Sequence, residues 1–320
     1  MKRTIAVLLL IALPFGAARA AEIFEKVGTY DATFLKIGVG ARAAGMGDAF
    51  VAVADDGSAS YWNAAGVAHV ARTELMFNHN SWVGGLLVDQ FAYVFSIKGI
   101  PGNWSLDARS LSMDRQEETE PYHPEGTGRT FDAGYAAFGL TYSRFFTDKF
   151  SAGVSARLVT AGLAESEWRT VTFDVGSLYD VGLGGIRIGM VIQNIGGNVK
   201  YSHGAEVADI DVRTSKMPTM FRVGVSARPL GQDNSKLLTA MEFSHPPDNR
   251  EHLNVGAEYQ FNNYLFLRGG YKFGYDSENW AGGVGVRFPV SAKTKAQVDY
   301  AYANMQTLGA AHRVSLKFDF

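Results

Sequence analysis

From Arg72 to the end of the chain, apolar and polar residues alternate with a period of two, the repeat of a β-strand whose two faces meet different media. Phe91, Tyr93, Phe95 and Ile97 alternate with Gln90, Ala92, Val94 and Ser96, and Leu253, Val255, Ala257, Tyr259 and Phe261 alternate with Asn254, Gly256, Glu258 and Gln260. Breaks at turn residues give segments near 72–80, 85–98, 102–113, 132–146, 149–163, 169–180, 184–195, 217–228, 235–244, 250–261, 263–274, 279–288, 292–303 and 310–320. The count is fourteen, an even number. The pattern predicts an all-β chain, either a soluble sandwich or a closed antiparallel barrel.

Three observations favour a transmembrane barrel. First, the last strand places Val314, Leu316, Phe318 and Phe320 on one face and Arg313, Ser315, Lys317 and Asp319 on the other, and the sequence stops on the aromatic residue. A terminal Phe on the apolar face is similar to the C-terminal signal that barrel assembly machinery reads, so these four apolar residues are the expected insertion signal. An ordinary last edge strand is the bland alternative. Second, the connections after even-numbered strands are mostly short, whereas the two longest, 114–131 and 196–216, follow odd-numbered strands. Outer-membrane barrels sort their loops in this way, and a sandwich has no reason to. Third, Arg157, Asp174, Arg187, Arg222, Glu258, Arg268, Arg287, Asp299, Arg313 and Lys317 all fall opposite the apolar face. In a barrel they face the lumen, since an Arg or Lys on the lipid side at the midplane would cost roughly 2–4 kcal/mol.

Residues 21–71 read differently. They are rich in Gly and Ala and lack a lipid-facing alternation, which predicts a compact segment packed inside or beneath the barrel of 72–320. Asp55 or Asp56 can cap a short helix through Ser58 to Trp62, with Gly66 as its stop. Three strands carry a local repeat, Gly153-Val-Ser-Ala-Arg157, Gly224-Val-Ser-Ala-Arg228 and Gly283-Val-Gly-Val-Arg287. The small inner residues either leave room for that segment or simply allow strong curvature. Tyr30, Trp104, Tyr264 and Trp280 near predicted strand ends suit an interfacial girdle.

The first twenty residues have the charged, apolar and small-residue parts of a cleaved secretory signal, with cutting expected after Ala20. The chain has no Cys, so neither disulfides nor thiolate metal sites are available. A formal net charge of −2 gives no reason to expect a nucleic-acid partner. Outer-membrane lipid is the expected surrounding.

Little in the sequence suggests an enzyme. No hydrolase, zinc-helix or phosphate-loop motif occurs, and the seven His are scattered. The nearest local constellation is Asn78-His79-Asn80-Ser81 at a predicted strand end, which reads first as a solvated loop. Asp55-Asp56 and the acidic stretch Glu117, Glu118 and Glu120 read as turn or cap and as a solvated loop, with cation binding as the minor reading. The expectation is a non-enzymatic barrel with no catalytic residues, metal or cofactor.

The stretch Leu35 to Val67 contains Ala-Arg-Ala-Ala-Gly-Met-Gly, then Ala-Asp-Asp, then Tyr-Trp-Asn-Ala-Ala-Gly. It resembles the N-terminal signature of the PorV/PorQ proteins, relatives of the FadL-type outer-membrane barrels. The resemblance covers about a tenth of the chain and implies a fourteen-stranded FadL-like barrel with an N-terminal plug, the motif residues being Arg42, Gly45, Met46, Gly47, Asp55, Asp56, Tyr61, Trp62, Asn63 and Gly66. It implies a role in type IX-like secretion, with exported proteins or secretion-system subunits as partners, or alternatively FadL-like transport of a hydrophobic or amphipathic small molecule. Ala64 stands where that family usually has Pro, which leaves the turn after Asn63 less rigid.

Overall fold

The computed structural model describes residues 28–163, 166–200, 214–232 and 235–320. The expected signal peptide and most of the second long loop lie outside them. Fourteen antiparallel strands form one closed barrel. In chain order they are β1 (Glu74–Ser81), β2 (Leu87–Ser96), β3 (Asn103–Ser112), β4 (Ala133–Thr147), β5 (Phe150–Leu163), β6 (Ser166–Asp180) and β7 (Arg187–Gly196). The ring continues through β8 (Met220–Gln232), β9 (Ser235–His245), β10 (His252–Phe261), β11 (Leu265–Phe273), β12 (Trp280–Pro289), β13 (Lys295–Asn304) and β14 (Ala310–Asp319). Each strand pairs with its neighbour in sequence, and β14 closes on β1 from Glu74↔Asp319 to Ser81↔His312. Closure leaves no unpaired sheet edge, the condition for crossing hydrocarbon with strands.

The alternation decides which face is which. On β14, Arg313, Ser315 and Lys317 are buried, while Val314 is 43% exposed on the outside. Phe138, Leu158, Phe173, Phe221, Phe243, Leu267 and Val286 are likewise exposed on their strands. The wall therefore presents an apolar belt outward and a polar face inward, the reverse of a soluble protein. Phe318 pairs with Leu75 and Leu316 with Phe77 across the β1–β14 seam, and the Phe320 amide donates to the Thr73 carbonyl at 3.0 Å. The four residues of the expected insertion signal thus stand in a row on the outer face of the closing strand.

Both ends of the wall lie at one rim, where the turns are short. Asn262 and Asn263, at φ 49° and 60°, make the tight turn between β10 and β11, a conformation that Asn tolerates better than most side chains. The opposite rim carries the longer loops. There Gln116–Glu117 pairs with Thr130–Phe131, and Val199–Lys200 pairs with Thr214–Ser215. Tyr264 and Trp280 are exposed at opposite rims. Tyr30 does not join a girdle; it bridges to Lys216 at the long-loop mouth, because the chain before β1 runs through the lumen.

Residues 31–70 are nearly all buried and touch strands on every side of the ring. Asp31 donates its amide to the Lys216 carbonyl at the long-loop mouth, and Asn103 Nδ2 donates to the Val67 and Val70 carbonyls at the short-turn end. The segment therefore threads the lumen from one rim to the other before β1 begins. It holds two short helices, α1 (Ala41–Gly45) and α2 (Ala59–Trp62), with 3-10 turns at Thr33–Lys36 and Ala64–His69. Its own core is Phe50, Tyr61 and Trp62, whose rings meet edge to face at 5.8 and 4.9 Å. The wall glycines are where its backbone passes. A Cβ on Gly153 would stand 2.5 Å from the Ala64 carbonyl carbon, one on Gly189 2.6 Å from the Val51 oxygen, and one on Gly283 3.2 Å from the Gly45 Cα.

Candidate functional site: the luminal segment and the cavity at its mouth

Packing a peptide inside a polar wall leaves many backbone and charged groups to satisfy, and inward-facing side chains supply the partners. Arg42 on α1 is the main anchor. Its guanidinium meets Glu258 on β10 in a bidentate pair at 2.9 and 3.0 Å, and its third nitrogen reaches Asp55 at 2.6 Å and Asp56 at 3.1 Å. Glu258 also accepts from Arg268 at 2.7 Å, and Arg268 donates to Asp299 at 2.6 Å. One continuous ion-pair network therefore runs from the segment across β10, β11 and β13. Burial alone would raise the Asp55 carboxyl, but Arg42 holds it well below the usual carboxylate range. Burial would likewise lower Arg42, and its carboxylate partners raise it well above the ordinary guanidinium value.

The other motif residues fall along the same thread. Gly45, Met46 and Gly47 press on β10, β11 and β12, and Gly47 adopts φ 62°. Asp56 accepts from the Ser58 amide and hydroxyl, an Asx turn one step before α2, while Asp55 is drawn away to Arg42 and caps nothing. Tyr61 donates to the Lys36 carbonyl, and Trp62 Nε1 to the Val39 carbonyl at 2.9 Å. Asn63 joins segment and wall: Nδ2 reaches the Val51 and Ser177 carbonyls, each at 3.0 Å, and Oδ1 caps the following turn at the Ala65 amide. Gly66 has no room for a side chain, its Cβ position lying 2.9 Å from that of Ala59.

The inward charges have specific tasks. Arg157 pairs with Asp174 at 2.8 Å and donates to the Ser60 carbonyl at 3.1 Å. Arg187 bonds Asp180 at 2.9 Å and His69 Nδ1 at 3.3 Å. A guanidinium can only donate, so His69 Nδ1 accepts and Nε2 carries the proton toward Ser151. Burial, reinforced by Arg187, pushes the His69 imidazole down to about 4. Arg287 is only half-buried, near the short-turn rim, donating to Gln297 and stacking on Phe266. Lys317 lies 3.6 Å from Glu74.

Several residues that hold the segment belong to no motif in the sequence. Glu242 accepts from the Phe50 and Val51 amides at 2.9 Å each, Glu74 accepts from the Gly57 amide at 2.5 Å, and Arg109 donates to the Phe34 carbonyl. The signal was present in phase alone. Glu242 sits between Met241 and Phe243, and Lys272 between Tyr271 and Phe273, at inward positions of strongly alternating strands.

Toward the long-loop mouth a cavity of about 220 Å³ remains between segment and wall. Thr33, Lys36, Gly38, Asp48 and Trp62 form its inner side. Across it stand Arg222, His252, Lys272 and Arg313, with Tyr275 and Trp82 at the edge. Lys272 bonds Asp48 and Glu278, Arg313 reaches Asp48 at 3.2 Å, and Lys36 meets Asp248 at 2.5 Å. Arg222 lies over Trp62 at 5.1 Å and Arg313 over Trp82 at 5.5 Å, both at cation–π range. Burial would raise the Asp48 carboxyl, but Lys272 and Arg313 hold it down to about 2. Burial raises the Tyr275 phenol to about 12, keeping it a neutral hydroxyl. The cavity thus offers aromatic faces beside cations whose charge the Asp and Glu partners balance.

The closed fourteen-stranded barrel, apolar on its outer face, is a FadL-like fold, as comparisons with solved structures show. The chain is similar to the Pseudomonas putida toluene transporter TodX, with 13% identity, a TM-score of 0.55, and 88% of this chain and 97% of that one covered. For the Ralstonia pickettii toluene transporter TbuX the values are 15%, 0.54, 88% and 97%, and for a Pseudomonas aeruginosa FadL homologue 10%, 0.52, 89% and 98%. In sequence, residues 15–158 match the family described as "Uncharacterised protein family (UPF0164)". No curated protein matches the sequence.

Proposed function

We propose that this chain is an outer-membrane channel of FadL type in which residues 31–70 act as a plug, and that a small amphipathic molecule enters from the long-loop side. The observation that carries this reading is the position of the cavity. One side of it is the segment itself, so an occupant touches Lys36, Asp48 and Trp62 directly, and its binding energy bears on the element that fills the pore. The lining departs from what a pure hydrocarbon would need. Aromatic faces beside Lys272, Arg222 and Arg313 suit a ligand with an apolar body and an anionic or strongly accepting head, which competes with Asp48 for those cations. The transporter names of the structural neighbours support the general class.

The test is native mass spectrometry of the protein gently extracted from its own outer membrane. Retained small molecules that disappear in Lys272→Met and Arg222→Met variants are the expected result; a bare protein in every preparation overturns the reading. A second reading, reception of exported proteins in PorV/PorQ manner, is favoured by one feature. The hairpin of Gln116–Glu117 and Thr130–Phe131 at the long-loop rim holds Tyr122 92% exposed, beside Glu118 and Glu120 paired with Arg129. Discrete co-purifying proteins that are lost when 118–128 is replaced by a short linker would select it.

A further inference from the structure

We propose that Ser81, His79 and Asp89 form a serine-hydrolase site on the outer wall of the barrel, acting on the carboxylic ester of a membrane lipid. Residues two apart in a strand share a face, so His79 and Ser81 on β1 both point outward. The β1–β2 register sets Asp89 directly opposite His79. His79 Nδ1 lies 2.7 Å from Asp89 Oδ1, and its Nε2 lies 3.4 Å from Ser81 Oγ. The carboxylate is on one ring nitrogen and the hydroxyl on the other, as a triad requires, and the hydroxyl contact is of the loose kind common before substrate binds. His79 and Asp89 side chains are 49% and 51% exposed, so the pair is accessible from outside. This departs from the expectation of a non-enzymatic barrel.

The surroundings indicate the substrate. The row of outward residues beneath the pair, Leu316, Phe77, Phe91, Ala108 and Phe138, is continuous across four ladders and floors a groove of about 550 Å³ that His79 and Asp89 also line. Such a groove suits an acyl chain lying along the wall. At the same edge, the Tyr300 hydroxyl bonds His312 Nδ1 at 2.8 Å, and Trp280 packs on Tyr302 at 5.2 Å, the aromatic level typical of a membrane interface. The polar cluster therefore meets the bilayer where acyl chains give way to headgroups, which is where lipid esters lie. Ser81 ends β1, and at Gly84 and Gly85 just beyond it an added Cβ would meet nothing within 4 Å, so the backbone there is open to an approaching carbonyl.

The chemistry closes with water as the co-reactant. Ser81 Oγ attacks the ester carbonyl carbon while His79 Nε2 takes its proton. The tetrahedral intermediate then expels the alcohol oxygen, which receives that proton, leaving an acyl ester on Ser81. A water molecule from the interface attacks the acyl carbon, gives one proton to His79, and the carboxylic acid departs as Ser81 is reprotonated. Ser81 and His79 are the catalytic residues. Asp89 is a positioning residue that holds the imidazole with Nε2 toward the serine.

The inference rests on the bilayer location proposed above and is independent of the luminal reading. Its test uses the full-length protein reconstituted in two kinds of vesicle, one of ester phospholipids and one containing lipopolysaccharide, with released fatty acid measured by mass spectrometry. Wild type should release fatty acid from at least one kind, which also identifies the source of the ester. Ser81→Ala and His79→Ala should each lower the rate at least about 100-fold while keeping the heat-modifiable barrel band. An organophosphonate probe should label Ser81 in wild type and not in His79→Ala. Asp89→Asn should lower kcat with KM for vesicles unchanged, and Asp89→Glu should restore part of the rate, a split that a purely structural cross-strand pair would not produce. Inserted, folded protein with no release from either vesicle and no labelling of Ser81 overturns the inference alone; failure to insert at all overturns the bilayer location instead.

Discussion

Replacing Arg42 by Met removes a bidentate attachment of the segment to the wall at Glu258, along with the pairs to Asp55 and Asp56 inside the segment. The side chain is 14% exposed and bonds three carboxylates, two of them, Asp56 and Glu258, almost fully buried. Met keeps most of the volume but leaves Asp55, Asp56 and Glu258 without this partner, although Glu258 retains Arg268. Breaking a buried ion pair by removing one member costs about 3–5 kcal/mol, chiefly through the charge left behind. Because the barrel ladders are untouched, that cost falls on the docked state of the segment. At about 1.4 kcal/mol per decade, the undocked population should rise by roughly 10²- to 10⁴-fold. The assay is hydrogen exchange of the amides of residues 41–63 in detergent-solubilised protein, alongside planar-bilayer conductance. Exchange should accelerate over this window and not in β4 to β6, with more frequent openings of the pore. Arg42→Lys should fall between, since an ammonium cannot reproduce the bidentate geometry. Unchanged exchange together with unchanged conductance would refute the idea that Arg42 fastens the segment.

Three further outcomes follow from the same structure. His69 titrates in the folded state near 4, below its ordinary value of about 6.5, so its contribution to stability is complete above pH 6.5 and is lost as pH falls through 4. The heat-modification midpoint of wild type should therefore drop more between pH 7 and pH 4 than that of His69→Gln, and parallel curves would argue against it. Gly153→Val puts a side chain where the Ala64 carbonyl now lies, and overpacking of about 1–3 kcal/mol should make the Ala64–His69 turn protease-sensitive in an otherwise intact barrel. Removing Phe320, which stands at the end of the outward row on β14 and donates its amide to Thr73, should lower the yield of membrane-inserted barrel in cells without altering the stability of the fraction that inserts.

The strands were legible because a barrel wall between lipid and a polar lumen imposes a strict two-residue rhythm. Predicted and observed boundaries differ by no more than four residues at any strand. The largest offset, at the end of β8, coincides with a register shift between Ala227 and Leu230 that periodicity cannot represent. The path of residues 31–70 was not legible at the level of contacts. Nothing in local sequence states that Arg42 will find Glu258, 216 positions away, or that Glu242 will cap two amides of the thread. Asp55 illustrates the limit: its position before Ser58 reads as a helix cap, and a distant guanidinium outcompetes that local role. For His79 the motif Asn-His-Asn-Ser was visible, but its partner Asp89 depends on strand register, which appears only once the ladder is fixed.

The route of the N-terminal segment also constrains how the molecule can be assembled. The seam between β1 and β14 joins residues about 240 positions apart, so it is costly in loop entropy and is expected to form late. By then the thread continuous with β1 must already lie between the strands that will enclose it, since a finished ring offers no lateral way in. The luminal ion pairs would then act as a mandrel around which the wall is wound, selecting its register before the ring closes. Substitutions there should appear first as slow maturation in pulse–chase experiments, with far smaller effects on the rate at which a completed barrel comes apart.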